Sequence, residues 1–270
     1  MENDYNLQDL LYLMARLRDE KDGCPWDRQQ DFSSIAPYTI EESYELADAI
    51  ASGDFAHIEE EIGDVLFQVV FYAQLGSEQG WFSFADIVSS LVTKLVNRHP
   101  HVFPAGTLSS RANKSLDNTQ VVSQKWEQIK ADERADRQQT SAMDNIPSNL
   151  PALARAVKLQ NRAARDGFDW QDSAGVIRKL QVELSELEFA CQDGRQQAIE
   201  EEFGDVLFTC VNLARHLKIN PEMTLRGANR KFEQRYRFIE KQLENKGMTP
   251  STASMEEMEY FWQKAKAAEL

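Results

Sequence analysis

The sequence lacks the segments that direct a chain into or across a membrane. Its first ten residues, MENDYNLQDL, are acidic and contain no apolar signal region. No apolar run approaches the roughly 18 residues typical of a membrane span. We therefore expect a cytoplasmic protein that does not contact membranes.

Cysteine and positive charge are both scarce. The three cysteines, Cys24, Cys191 and Cys210, are odd in number and lack metal-ligand spacing. Cys191 and Cys210 lie in apolar helical patterns, which predicts reduced thiols in the core. With 30 basic and 44 acidic residues the chain has a net charge of -14, which argues against nucleic acid as a partner.

No β-strand pattern is present, because the apolar residues recur with the helical period. The sequence also has no GxxxxGK[ST] loop and no glycine-rich strand-to-helix turn, which disfavours P-loop and dinucleotide-binding folds. We predict an all-α protein. The segment CPWDRQQDFSSIAPYT is predicted to be irregular, with the following helix beginning near Pro37.

Two apolar helices carry acids at matching places. EEFGDVLFTCVNL begins at Glu201, and EEIGDVLFQVVFY begins at Glu60. Both are predicted to be buried helices. In the later one, a polar stripe runs along one face through Glu202, Asp205, Thr209 and Asn212. Because buried carboxylates are costly unless paired, the stripe should face a cation, a basic side chain or an enclosed polar site.

The two helices belong to an internal repeat. At a constant shift of 141 positions five acids of the first half fall on acids of the second: Glu42, Glu45, Glu60, Glu61 and Asp64 on Glu183, Glu186, Glu201, Glu202 and Asp205. With short gaps, Lys94 and Arg98 fall on Lys231 and Arg235, and Trp126 falls on Trp262. We predict a first helical domain at 1–131, a linker at 132–151 and a second domain at 152–270.

The spacing of the acids indicates a cation site. Glu183 and Glu186 project from one helix face, and Glu202 and Asp205 do the same from the next helix. A short turn joins the helices, so antiparallel packing can gather four carboxylates, which suit Mg²⁺ or Mn²⁺. A di-iron site is disfavoured because no Glu-x-x-His pair exists. The alternative is that these acids are solvated and paired with Lys or Arg.

The basic residues near the acids and the two tryptophans each allow two functional interpretations. Lys179 lies one turn before Glu183, while Lys231 and Arg235 share a helix face. These cations could balance the acids or form the clamp that phosphoryl chemistry requires. Trp262 and Trp126 could stack a base or pack helices together.

The motifs resemble those of a known family. EESYE followed by EEIGD, repeated as VELSE followed by EEFGD, resembles the EExxE…ExxD signature of the MazG nucleoside triphosphate pyrophosphohydrolases. The KFEQR run, the CPWD segment and the tandem layout resemble that family too. The resemblance implies a tandem repeat of a four-helix-bundle unit, Mg²⁺-dependent hydrolysis of NTPs or dNTPs to the monophosphate and pyrophosphate, and a homodimer whose subunits complete each site.

The resemblance also implies roles for residues. The catalytic and metal-binding acids would be Glu183, Glu186, Glu202 and Asp205, with first-half counterparts Glu42, Glu45, Glu61 and Asp64. The nucleotide-binding residues would be Lys179, Glu183, Lys231, Phe232, Glu233, Gln234, Arg235 and Trp262. One departure is Val182, which stands where the first half has Glu41.

We expect an enzyme with broad tolerance for the base, active mainly in its second half, because Pro100 interrupts the basic helix of the first half. The rival from another class is a non-catalytic helical module whose acidic face binds a basic protein. A rival among enzymes is a narrower pyrimidine or house-cleaning nucleotidase.

Overall fold

The computed structural model describes residues 5–112, 129 and 141–268, and this part of the chain is helical without any β-strand. The all-α prediction is confirmed. The chain divides into two compact units, Met1–Glu133 and Arg134–Leu270. Among the helices described, none is both long enough and apolar enough to cross a bilayer.

The first unit is built around a long helix pair. Its described helices are α1 (Leu7–Leu17), α2 (Pro25–Gln29), α3 (Phe32–Ser52), α4 (Phe55–Glu78) and α5 (Phe84–Arg98). α3 packs along α4, and α1 and α5 also contact α4. The core of the unit consists of Met14, Ile35, Val70, Phe71 and Leu75.

The second unit repeats this helix pair. Its described helices are α6 (Ala152–Arg165), α7 (Ser173–Asp193), α8 (Gln196–His216), α9 (Pro221–Glu244) and α10 (Met255–Ala267). α7 packs along α8, α6 packs on α8, and α9 packs on α10. Ahead of α6, Ile146 is buried and Ala142 accepts a hydrogen bond from Arg162. Part of the predicted linker, residues 132–140, lies outside the described residues.

The 141-residue shift also relates the boundaries of α3 and α7, which are both 21 residues long. Asp31 and Asp172 cap their N-termini by accepting backbone N–H groups. Gly53 and Gly194 end them in the left-handed region, at φ 76° and 74°, which a residue with a Cβ rarely adopts. Each cap therefore fixes its helix at the same register relative to the acids.

The start of α3 corrects a prediction. The segment predicted to be irregular contains α2, and α3 begins at Phe32 rather than near Pro37. The reason is a capping box, in which Asp31 accepts from the backbone of Ser34 and the Ser34 hydroxyl accepts from the backbone of Asp31. This cap outweighs the single backbone hydrogen bond that Pro37 removes.

α8 is less buried than predicted. Its buried residues, Val206, Thr209, Val211 and Ala214, form one face of the helix. Phe203 and Leu207 are about half exposed, and both Cys191 and Cys210 are exposed. The prediction of core thiols is therefore wrong, because a second apolar face of the helix pair is left uncovered by the chain's own described residues.

Candidate active site

Three acids of the second unit meet between α7 and α8. Glu183 and Glu186 lie one turn apart on α7, and Glu202 lies on α8. One carboxylate oxygen from each lies within 4.8 Å of the others. Glu183 is only 5% exposed, while Glu202 is half-buried and Glu186 is exposed. We call this group the second acid cluster.

Asp205, the fourth predicted acid, lies one turn after Glu202 on α8 and is exposed. It is not among the three residues whose oxygens approach within 4.8 Å. Its charge nevertheless acts on Lys179, where it helps to raise the pKa of the ammonium group. Asp205 therefore belongs to the electrostatic surroundings of the cluster.

Lys179 contacts two acids of the second acid cluster. Its Nζ lies 2.7 Å from Oε1 of Glu183 and 3.8 Å from Oε2 of Glu186. The hydrogen bond to Glu183 is the main cause that raises the pKa of Lys179. The pKa of Glu186 is raised because its carboxyl hydrogen-bonds that of Glu183 and is partly desolvated, although Lys179 opposes the shift. The Lys179 ammonium therefore balances part of the negative charge of the cluster.

The first unit holds the matching first acid cluster. Oxygens of Glu42 and Glu45 on α3 and of Glu61 on α4 lie within 4.8 Å of one another, and Asp64 is again exposed and outside the three. Burial is the main cause that raises the pKa of Glu42, followed by the negative charge of Asp64 and the other acids. Four acids so placed favour a cation.

Glu61 shows how a cation would fit. It is buried, and its Oε1 lies 2.9 Å from Nε2 of His57. Its Oε2 is buried without a hydrogen-bond partner in the described structure. A buried carboxylate oxygen without a partner is destabilising, and a hard divalent cation takes oxygen ligands of this kind. The residues present therefore fit Mg²⁺.

The two clusters differ in the cations beside them. At the 141-residue shift, Lys179 corresponds to Tyr38 in the first unit. The first cluster therefore has the His57 imidazole beside its buried glutamate, whereas the second has a lysine ammonium. The second cluster is the better equipped to hold an additional anion.

Two arginines that the sequence analysis missed extend this difference. Arg178 and Arg195 line an open cavity of about 750 Å³ together with Glu186 and Glu202. The same shift aligns them with Pro37 and Asp54. A comparison of the two repeats could therefore have identified both arginines as positive charges that only the second half has. Arg195 is paired with Asp193. These arginines place positive charge beside acids that could hold a metal.

The predicted nucleotide segment on α9 contacts α10. The Arg235 guanidinium lies 5.4 Å from the Trp262 ring centre, and the Phe232 ring centre lies 5.5 Å from it. Trp262 also packs against the core formed by Ile239, Leu243 and Phe261. Trp262 is thus a packing residue that also contacts an arginine. Trp126, its predicted counterpart, lies outside the described residues.

The other members of that segment are accessible. Lys231 and Gln234 are exposed. Glu233 accepts a hydrogen bond of 3.0 Å from Nε of Arg237, its neighbour one turn later. The structure therefore joins Phe232, Arg235 and Trp262 into one group, while Glu233 is engaged by an arginine of its own helix.

Each unit has glutamates that face one another from two antiparallel helices. This arrangement places the chain in the class of α-helical proteins whose site is lined by acidic residues. A family model described as the MazG nucleotide pyrophosphohydrolase domain matches residues 30–103 and 171–238, and these ranges include both clusters. The chain belongs to the MazG nucleotide pyrophosphohydrolase family, as the resemblance predicted.

Similar proteins support this membership. A protein of Escherichia coli K12 named nucleoside triphosphate pyrophosphohydrolase is 47% identical over 263 residues, which cover 97% of each chain. Nucleoside triphosphate pyrophosphohydrolase/pyrophosphatase MazG of Thermotoga maritima is 40% identical and covers 97% of this chain and 96% of its own. YabN of Bacillus subtilis is 39% identical over 92% of this chain and 49% of its own.

Proposed function

We propose that this protein hydrolyses nucleoside triphosphates, ribo- or deoxyribo-, to the monophosphate and pyrophosphate in the cytoplasm. The reaction depends on Mg²⁺, tolerates all common bases and takes place at the second acid cluster. The observation that carries the proposal is the arrangement of Lys179, Arg178 and Arg195 around Glu183, Glu186 and Glu202. An acid group that holds a metal, surrounded by fixed cations, matches the charge of a metal-bound triphosphate.

Glu183, Glu186, Glu202 and Asp205 would hold Mg²⁺, and Mn²⁺ takes the same oxygen ligands. The metal, when bound, supplies charge neutralisation and polarisation of the α-phosphoryl group. Lys179 already places an ammonium 2.7 Å from Glu183. This contact supports a site in which a fixed ammonium group lies beside the carboxylates that would hold the metal.

The protein's own groups would orient the substrate. Arg178, Lys179 and Arg195 hold the phosphate chain from α7 and the turn before α8, with Lys231 and Arg235 adding charge from α9. A carboxylate of the cluster accepts a proton from the attacking water. The water oxygen bonds to the α-phosphorus, the bond from that phosphorus to the α,β-bridging oxygen breaks, and pyrophosphate leaves.

The first acid cluster has a different role in this proposal. It keeps Glu42, Glu45 and Glu61 but has Tyr38 in place of a lysine. Without a lysine at this position, the first cluster binds a divalent ion but holds a triphosphate weakly. We therefore assign the first unit a chiefly structural role.

We propose a homodimer in which two subunits complete four-helix bundles and their sites. Apolar side chains of α7 and α8 that one chain leaves exposed support this assembly: Val182 (47%), Phe189 (67%) and Phe203 (52%). Exposed apolar surface next to a site is typical of an interface. The same surface explains Val182, since an apolar residue suits a subunit contact better than the glutamate of the first half.

The test is pyrophosphate release from ATP, GTP, CTP and UTP with Mg²⁺ and with a chelator. We expect turnover of all four with Mg²⁺ and none with the chelator. Glu186→Ala should abolish turnover, whereas Glu188→Ala, an exposed acid on the same helix, should not. If the wild-type protein neither hydrolyses nor binds any nucleotide in Mg²⁺, the proposal is wrong and a non-catalytic module becomes the better account.

A further inference from the structure

A second cavity, with a volume of about 560 Å³, lies in the second unit between α6, the turn after it and α8. None of the described residues that line it belongs to the second acid cluster or lines the cavity beside that cluster. The lining residues on which the argument rests are Gln160, Phe168, Asp169, Trp170, Phe208 and Arg215. The size of the cavity and its mainly apolar lining with a few polar groups are typical of a small-molecule site.

Two buried polar atoms at this cavity have no hydrogen-bond partner in the described part of the chain. Gln160 is 6% exposed, and its Nε2 donates to the carbonyl of Phe208 at 2.8 Å, but its Oε1 is buried without a donor. Nε of Arg215 is buried without an acceptor. Because unsatisfied buried groups destabilise a fold, the cavity favours a ligand that has one hydrogen-bond donor and one acceptor.

The charges at the cavity balance each other. Asp169 and Arg215 are the two charged residues among the described residues that line it, and they form an ion pair. Nε2 of His216 lies 3.0 Å from the same carboxylate oxygen of Asp169. A phosphate or an ammonium group placed here would lose its hydration without gaining an unpaired counter-charge. The cavity therefore favours a neutral ligand.

Aromatic rings form the walls of the cavity. Trp170 lies in the turn and Phe208 on α8, and Phe168 lies beside them with 84% of its surface exposed. The indole of Trp170 packs closely on α7, where a Cβ at Gly175 would approach it to 3.0 Å. Because aromatic rings pack favourably on one another in stacked or edge-to-face arrangements, these walls favour a planar aromatic ligand.

We infer that this cavity is a second binding site, separate from the nucleotide site, for a neutral aromatic amide. The amide N–H donates to Oε1 of Gln160, and the amide carbonyl accepts from Nε of Arg215. The ring packs against Trp170 and Phe208. Such a ligand satisfies the donor, the acceptor and the apolar walls without adding charge. The inference does not depend on the proposed function, in which the nucleotide binds at the second acid cluster.

The experiment titrates three small probes into the full-length protein and follows them by ligand-observed NMR. Benzamide has the ring, the donor and the acceptor, acetophenone lacks the donor, and benzoate carries a negative charge. The variants are Gln160→Leu and Phe168→Ala. Gln68→Leu is the matched control, because Gln68 is also 6% exposed and its buried Oε1 lacks a partner in the described structure, but it lies in the first unit. Thermal unfolding of each variant checks the fold.

We expect wild type to bind benzamide with a Kd of about 1 mM, as suits a ligand of this size. Acetophenone and benzoate should bind about tenfold more weakly, since each loses a hydrogen bond or brings an unbalanced charge. Gln160→Leu should weaken benzamide binding about tenfold and Phe168→Ala about threefold. Gln68→Leu should leave the Kd unchanged, and ATP with Mg²⁺ should not displace benzamide.

Four results would overturn the inference. They are no binding of benzamide to wild type, equal affinity for the three probes, displacement of benzamide by ATP, and an unchanged Kd in the folded variants at the cavity. If Gln160→Leu does not fold, Phe168→Ala decides, because its side chain is exposed and its loss leaves the core intact. Benzamide binding by a protein that hydrolyses no nucleotide would refute the proposed function and leave this inference standing.

Discussion

Nζ of Lys179 lies 2.7 Å from Oε1 of Glu183, the most buried acid of the second cluster. The equivalent position in the first unit is Tyr38. The two clusters therefore have the same acids, but only the second has a lysine at this position. This difference is the main reason for assigning hydrolysis to the second unit.

Lys179→Ala should lower kcat/KM for ATP by about 100-fold, because it removes a fixed cation from a site that stabilises phosphate charge. Lys158→Ala, an exposed lysine on α6, is the control and should leave kcat/KM unchanged. Steady-state kinetics in Mg²⁺ measure both. Equal kcat/KM for Lys179→Ala and wild type would mean that the lysine only balances the acids.

Arg178→Ala should raise KM for ATP by roughly 3- to 10-fold at low ionic strength, because Arg178 lines the cavity beside Glu186. The effect should shrink as salt is added, since exposed charges are screened. Arg178→Lys keeps the charge and should retain most of the affinity. An effect of Arg178→Ala that does not depend on salt would contradict an electrostatic role.

The ion pair at Asp169 predicts how stability depends on pH. Its hydrogen bond to Arg215 is the main cause that lowers the pKa of Asp169 below its ordinary value of 3.8, and His216 lowers it further. A lowered pKa in the folded state stabilises the protein above about pH 4, and this contribution is lost as pH falls through the folded-state pKa.

Asp169→Asn should therefore reduce the free energy of unfolding by about 1 kcal/mol at pH 7, a modest amount because the pair is partly solvated. The difference from wild type should decrease below about pH 4. Denaturant unfolding at several pH values measures it. A difference that is the same at pH 3 and pH 7 would show that the ionised carboxylate is not the cause.

Leu243→Ala should destabilise the second unit by about 2 to 5 kcal/mol, because Leu243 is fully buried in the core between α9 and α10 and its removal leaves a cavity. Leu225→Ala, at a half-exposed position of α9, should cost less than about 1 kcal/mol. Thermal denaturation compares the two variants. Equal losses would contradict the packing described for α9.

Most of the fold that can be predicted from the sequence follows from the internal repeat. Apolar periodicity identified the long helices, and the 141-residue shift holds even for the caps at Asp31 and Asp172. The pattern of the sequence predicts the start of α3 near Pro37, but the local Asp31–Ser34 capping box starts the helix at Phe32. Cys210 was expected in the core because period alone does not show which apolar face another helix covers.

The sequence predicted less of the site. The spacing of Glu183, Glu186 and Glu202 was enough to expect them on facing helices, and the structure places them together. Arg178 and Arg195 were missed because they line one cavity with Glu186 and Glu202 only once α7 packs on α8. A second cavity, lined by Gln160, Phe168 and Arg215 among others, is formed by residues of α6, the turn after it and α8, and no local pattern in the sequence marks it.

The central claim is that the second acid cluster, not the first, hydrolyses nucleotides. The direct measurement is pyrophosphate release from ATP in Mg²⁺ by Glu186→Ala and by Glu45→Ala, which remove equivalent acids from the two clusters. We expect Glu186→Ala to lose at least about 100-fold in kcat and Glu45→Ala to stay within about twofold of wild type. Loss of turnover in Glu45→Ala with full activity in Glu186→Ala would contradict the account.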